Sequence, residues 1–183
     1  MPYLIPDVPL IPQDNNMACW YASAQMLIAW RRNRTGTKEA RHPDPSEIPA
    51  FAARVAAKGG LRFAQNVVLA KMLGLAAMPL VSPTPATVAN WLFANGPLWL
   101  DCLVPSGHVV VVTGITDTEV LVNDPWPPHV GARTSWSLQT FNDVLLPLIA
   151  GQGPPPSLAP NMLYLDEPTP DMTVWSLLAA FRG

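Results

Sequence analysis

At Gly96 the spacing of apolar residues changes from a helical period to short β-branched runs, and this change limits the chain to folds that join a helical half to a sheet. Before it, Trp20, Ala24, Leu27 and Ile28 recur at helical spacing from Cys19 to about Arg32. The stretch 33–45 is a polar, proline-containing loop, and Ser46 to Ala57 reads as a helix stopped by Gly59-Gly60. A further helix is expected from about Phe63 to Leu73, ending at Gly74. Another has Thr84 as cap and Pro85 in its first turn and runs to Asn95-Gly96. After Gly96, Leu98–Val104, His108–Ile115 and Glu119–Val122 are separated by Pro-Ser-Gly and Thr-Asp turn signals, the pattern of consecutive antiparallel strands. Trp136-Ser137 reads as a strand end followed by a short helix to Leu146, and Met162–Leu165 as a last strand. Helices first and sheet second predict an α+β fold with a cleft between the halves.

Residues 1–165 are expected to form one domain and 166–183 a C-terminal tail, whose run Val174–Phe181 reads as a helix that docks on the body or serves a partner. Hydrophobic residues make up 49% of the 183 and charged ones only 13%, enough apolar material for a buried core. A net charge of −2 supplies no electrostatic footprint for nucleic acid; Arg31, Arg32, Arg34, Lys38 and Arg41 read as a solvated helix end. No apolar run reaches the roughly 18 residues of a membrane span, and the N-terminus lacks the basic and apolar regions of a classical export signal. The 22 prolines fall mostly in loops and read as rigid connectors, with residues 1–18 an extended arm too proline-rich for a regular element.

That arm leads into Gln13-Asp14-Asn15-Asn16-Met17-Ala18-Cys19-Trp20. A sulfur at the start of a helix sits at the positive end of the helix dipole, which favours the reactive anion, and an amide just upstream is a candidate donor to an oxyanion. Such a nucleophile needs a base and a group to orient the base. His108 opens the valine run of one strand, and Asp124 lies just past the end of the next, sixteen residues on, in Val122-Asn123-Asp124-Pro125-Trp126. Adjacent antiparallel strands can set two such ends side by side. Other roles for the same residues fit less well. A disulfide between Cys19 and Cys102 is not needed by a core of this size; Cys102 reads as a buried strand residue. A zinc site from Cys19, Cys102, His108 and His129 lacks any close ligand pair. His42 and His129 sit among prolines as loop residues; Trp126 reads as a packing residue whose ring could shield the His-Asp pair, and Asn15 and Asn16 as turn formers that could also help the oxyanion site.

In order and motif these residues resemble the papain-like cysteine peptidases. The Asn-Asp-Pro after a valine-rich strand is most similar to the bacterial branch, that of double-glycine leader peptidases and secreted effector peptidases. The resemblance covers about residues 10–165. It implies a papain-like α+β fold whose N-terminal helical half carries the nucleophile helix against a C-terminal antiparallel sheet. It also implies Cys19 as nucleophile, His108 as base, Asp124 as orienter with Asn123 as the alternative, Gln13 as oxyanion donor, and no cofactor. The chain departs from papain where Met17-Ala18 replaces the Gly-Ser before Cys-Trp.

The activity so implied is hydrolysis of peptide bonds in a protein or peptide substrate, with cleavage after glycine suggested by the double-glycine relatives. The deamidase or transglutaminase type of acyl transfer and a catalytically idle binding module are the alternatives; the four filled roles argue against the last. A domain without the membrane and ATP-binding segments of leader-processing transporters points to a bacterial effector or toxin. Such a protein is made in the cytoplasm, delivered into a target cell without a classical signal, and held in check by a cognate inhibitor protein.

Overall fold

A computed structural model describes residues 2–36, 43–61, 65–78, 82–102, 107–145 and 162–165. Its elements run β1 (Tyr3–Leu4), α1 (Cys19–Thr35), a 3-10 turn (Pro45–Glu47), α2 (Pro49–Ala56), α3 (Gln65–Leu73), β2 (Leu75–Ala77), α4 (Pro85–Asn95), β3 (Leu98–Cys102), β4 (His108–Ile115), β5 (Glu119–Asp124), β6 (Ala132–Ser137), α5 (Leu138–Leu145) and β7 (Met162–Leu165). The strands form one sheet in the order β2-β7-β3-β4-β5-β6, with β1 added to β4, and every pairing is antiparallel. The expected α+β architecture is what the chain adopts.

The central helix α1 is buried over most of its circumference: Trp20, Ala22, Ala24, Met26, Leu27, Ile28 and Trp30 all lie inside. It ends where Gly36 turns left-handed and donates to the Arg32 carbonyl, with Arg32 and Arg34 placed at the negative end of its dipole. Three hydrogen bonds lock its first two turns in place. The Ser23 hydroxyl donates to the Val109 carbonyl at 3.1 Å, the Trp99 indole to the Trp20 carbonyl at 3.3 Å, and the Trp20 indole to the Gly59 carbonyl at 3.1 Å. Since Val109 neighbours His108, the first of these fixes the helix start relative to the strand that carries the expected base. Thr84 caps α4 as expected, accepting from the Thr87 N–H at 3.2 Å. The following Gly96 admits no side chain, because its φ is +80° and an added Cβ would lie 2.3 Å from the Trp30 ring.

Several boundaries differ from the sequence expectation, each for a local reason. The arm is not wholly irregular: Tyr3 and Leu4 pair with Ile115 and Gly114, flanked by Pro2 and Pro6, which cannot extend the strand. The helix expected over 46–57 is two pieces, since Pro49 has no N–H to continue the turn begun at Pro45 and instead starts α2. Its end falls earlier than Gly59-Gly60. Lys58, at φ 52°, takes the left-handed position, with Lys58 N–H bonded to the Val55 carbonyl and Gly59 N–H to the Arg54 carbonyl. β2 is an unanticipated strand paired with β7, and Asp124 is the last residue of β5 rather than a residue past it. The tail 166–183, Lys38, Arg41, His42 and the start expected at Phe63 lie outside the described residues.

Candidate active site

Cys19 is the first residue of α1, and the helix start is left open. Ala18 at the cap position has φ −98° and ψ 12°, outside the extended conformation of a capping residue. No side chain caps the first turn, and no carboxylate lies in it. Tyr21 and Ala22 N–H groups bond to the Ala18 carbonyl. The Cys19 N–H, like any at a helix start, has no intrahelical acceptor and lies at the positive end of the helix dipole.

His108 and Asp124 come together through the sheet. Val111 stands opposite Asn123 in the β4–β5 ladder, so Asp124, one residue on, is level with Val110 and diagonal to His108 on the same face. The His108 Nε2 to Asp124 Oδ1 distance is 2.6 Å, and the same carboxylate oxygen accepts the Trp126 N–H at 2.8 Å. Burial works against the charged imidazolium, but hydrogen bonds and charge from Asp124 and from Cys19 outweigh it and raise the His108 pKa to about 9. The ring thus pairs with the Asp124 carboxylate and feels the nearby Cys19. The His108 and Asp124 side chains keep 26% and 21% of their surface exposed, enough for a substrate to reach the pair.

Gln13 is 1% exposed and held at three points. Its N–H donates to the Pro125 carbonyl at 3.0 Å, its carbonyl accepts from the His129 N–H at 2.8 Å, and its Nε2 donates to the Asn15 carbonyl at 2.6 Å. Its Oε1 is buried without a partner. The arm with the expected oxyanion donor is therefore joined to the loop that follows Asp124. Asn123, the alternative orienter, is turned elsewhere: its amide donates to the carbonyls of Val8 and Pro9 at 3.4 and 3.2 Å and clamps the arm. We expect Asn123→Ala to cost about 1–3 kcal/mol, since it orphans buried carbonyls; thermal melting will show the loss, while the alkylation rate of Cys19 stays within about twofold because the His108–Asp124 pair is untouched.

Cys102 lies directly opposite His108 in the β3–β4 ladder and is 4% exposed. Both cysteines are free thiols. Burial, and then the charges of Asp101, Asp124 and Cys19, push the Cys102 pKa upward, which keeps it a neutral thiol beside the site. His129 contributes its backbone, not its ring, from a left-handed conformation at φ 64°. Sequence reasoning did not find the Pro125 and His129 backbone groups, because carbonyl and N–H groups carry no residue-type signal. Trp126, expected to pack, is instead exposed, as are Met17 and Val130.

Comparison with protein families matches residues 4–145 to the papain-like cysteine protease AvrRpt2 family. The chain belongs to that family. The matched span runs from the arm to the end of α5 and contains Gln13, Cys19, His108 and Asp124. A search of curated proteins returned no match. Membership makes the protein a papain-like cysteine peptidase of bacterial type, a hydrolase whose substrate is protein. No described helix of this peptidase is long and apolar enough to cross a membrane.

Proposed function

We propose that this peptidase cleaves its protein target through a Cys19-His108-Asp124 triad, with Gln13 and the Cys19 N–H as oxyanion donors. The observation that carries the reading is the His108 ring, 2.6 Å from the Asp124 carboxylate, with Cys19 near enough to help raise its pKa. Cys19 gives its proton to His108, and the thiolate attacks the scissile carbonyl carbon. A C–S bond forms and the carbonyl π electrons move to oxygen, which accepts hydrogen bonds from Gln13 and the Cys19 N–H. As the oxyanion collapses, the C–N bond breaks and the His108 imidazolium protonates the departing amine. His108 then takes a proton from water, the hydroxide attacks the thioester, and the C–S bond breaks to return the thiol. Asp124 holds the ring in one tautomer and stabilises its charge throughout.

Cleavage after glycine is the finer reading, supported by the resemblance to double-glycine leader peptidases. The effector or toxin role, delivery into another cell and restraint by a cleft-plugging inhibitor protein are supported by the bacterial type of the family and by a site open to solvent along its rim. The triad is tested by intact-mass spectrometry after brief exposure to an epoxide inhibitor of cysteine peptidases. Single labelling at Cys19, with Cys102 unlabelled and Cys19→Ala inert, is the expected result. Equal labelling of both cysteines, or none, would overturn it.

A further inference from the structure

Building on the triad reading, we infer that Asn15 is a positioning residue that aims the Gln13 amide at the oxyanion. The turn before α1 is organised around it. The Asn15 carbonyl accepts both the Gln13 amide at 2.6 Å and the Ala18 N–H at 3.3 Å, while its Oδ1 accepts the Met17 N–H at 2.9 Å and its Nδ2 donates to Asp14 Oδ1 at 2.5 Å. A side-chain oxygen bonded two residues ahead closes an Asx-turn, which sets the direction of the residue's own carbonyl.

That direction matters because a primary amide is planar and its two N–H bonds are fixed about 120° apart. Tying one of them to Asn15 fixes where the other points. The orphaned Oε1 of Gln13 fits this arrangement. The amide is oriented through its nitrogen, and its oxygen is left unpaired in the interior, a cost tolerated at working sites and otherwise unexplained. The same carbonyl holds the Ala18 N–H, so the residue before Cys19 is set by the bond that sets Gln13. Both oxyanion donors therefore depend on one turn, and the geometry of that turn depends on the Asn15 side chain.

The test uses the p-nitrophenyl ester of an N-acylglycine and a double-mutant cycle. Asn15→Ala is expected to lower kcat about tenfold with KM within about twofold, against the roughly 10²-fold loss of an oxyanion donor in Gln13→Ala. In the Gln13→Ala background the Asn15 change should cost nothing further, because the two act as one unit. Asn15→Ser, whose hydroxyl can close the same turn, should restore most of the rate. Iodoacetamide alkylation of Cys19, which needs no oxyanion, should proceed at the wild-type rate in every variant, and so separates aim from folding. Equal losses from Asn15→Ala in both backgrounds, or a parallel fall in alkylation, would overturn the inference. A wild-type protein that alkylates rapidly at Cys19 yet turns over no acyl substrate would instead overturn the triad reading, and this inference with it.

Discussion

His108→Ala lowers turnover of a peptidyl amide by about 10⁴-fold or more, the scale seen when the base of a nucleophile-base-orienter set is removed. Two losses combine. Without the ring, Cys19 has no group to take its proton, and the amine has no acid to protonate it as the C–N bond breaks. The second loss depends on the leaving group, so the variant should keep more of its activity on a p-nitrophenyl ester, whose phenolate departs unprotonated. Substrate binding is not the ring's task, and KM should move by no more than about threefold. Cys19→Ala should be as inactive, and the double variant no worse than either single one, because groups that act as a unit do not contribute additively. Steady-state kinetics on the two substrates checks this. A His108→Ala enzyme with more than about a tenth of wild-type amide turnover would sink the assignment.

Asp124→Asn is the second large change, and its signature is a displaced pH profile. In the wild type, burial disfavours the imidazolium but Asp124 and Cys19 lift its pKa from the ordinary 6.5 to about 9. Amide hydrolysis, which needs the protonated ring to release the amine, should therefore fall as pH rises through about 9. Replacing the carboxylate by an amide keeps a hydrogen bond and removes the negative charge, so the ring gives up its proton more readily and the alkaline fall moves down by more than one unit. At pH 8 the variant should be slower by about 10²-fold or more, part of it from the pH shift and part from loss of the correct tautomer. Stability follows the same sign. A raised folded pKa contributes stability that is fully present below about 6.5 and lost as pH climbs to about 9. At about 1.4 kcal/mol for each pKa unit, reduced for a partly exposed ring that shares its proton with Cys19, that contribution is on the order of 2 kcal/mol. Wild-type melting temperature should fall by several degrees across this window, and the profile of Asp124→Asn should be flatter. An unchanged alkaline limb in the variant would show that Asp124 does not act on the ring.

The candidate residues stand out in the chain because each is a side chain of distinctive reactivity, met in a fixed order and beside a change of period. The α4 cap at Thr84-Pro85 and the glycine stop at Gly96 were readable for a similar reason: local physics decides them within a few residues. Strands of two or three residues were not. Tyr3–Leu4 and Leu75–Ala77 are too short to display alternation and exist only because β4 and β7 offer partners far along the sequence. The preference for Asp124 over Asn123 comes from its place sixteen residues after His108 and before Pro125, not from the strand pattern. Neighbours in a strand point to opposite faces, so only one can meet His108, but the irregularity between Val112 and Gly114 resets the count that would have said which. The Lys58 turn shows a further limit: a residue that favours the left-handed region stands one place away, and Gly59 is instead tied by its N–H to the Arg54 carbonyl and by its own carbonyl to the distant Trp20 indole.

The bonds between Gln13 and the loop at Pro125 and His129 also have a consequence in time. Protein synthesis delivers Cys19 and its helix early, while the strands that bring His108 and Asp124 beside it begin only at His108 and Glu119. Until β4 and β5 have been made and the loop after them has gripped the arm, Cys19 has neither a base nor an aligned amide beside it. On the proposed triad, hydrolysis therefore has to wait until the sheet closes.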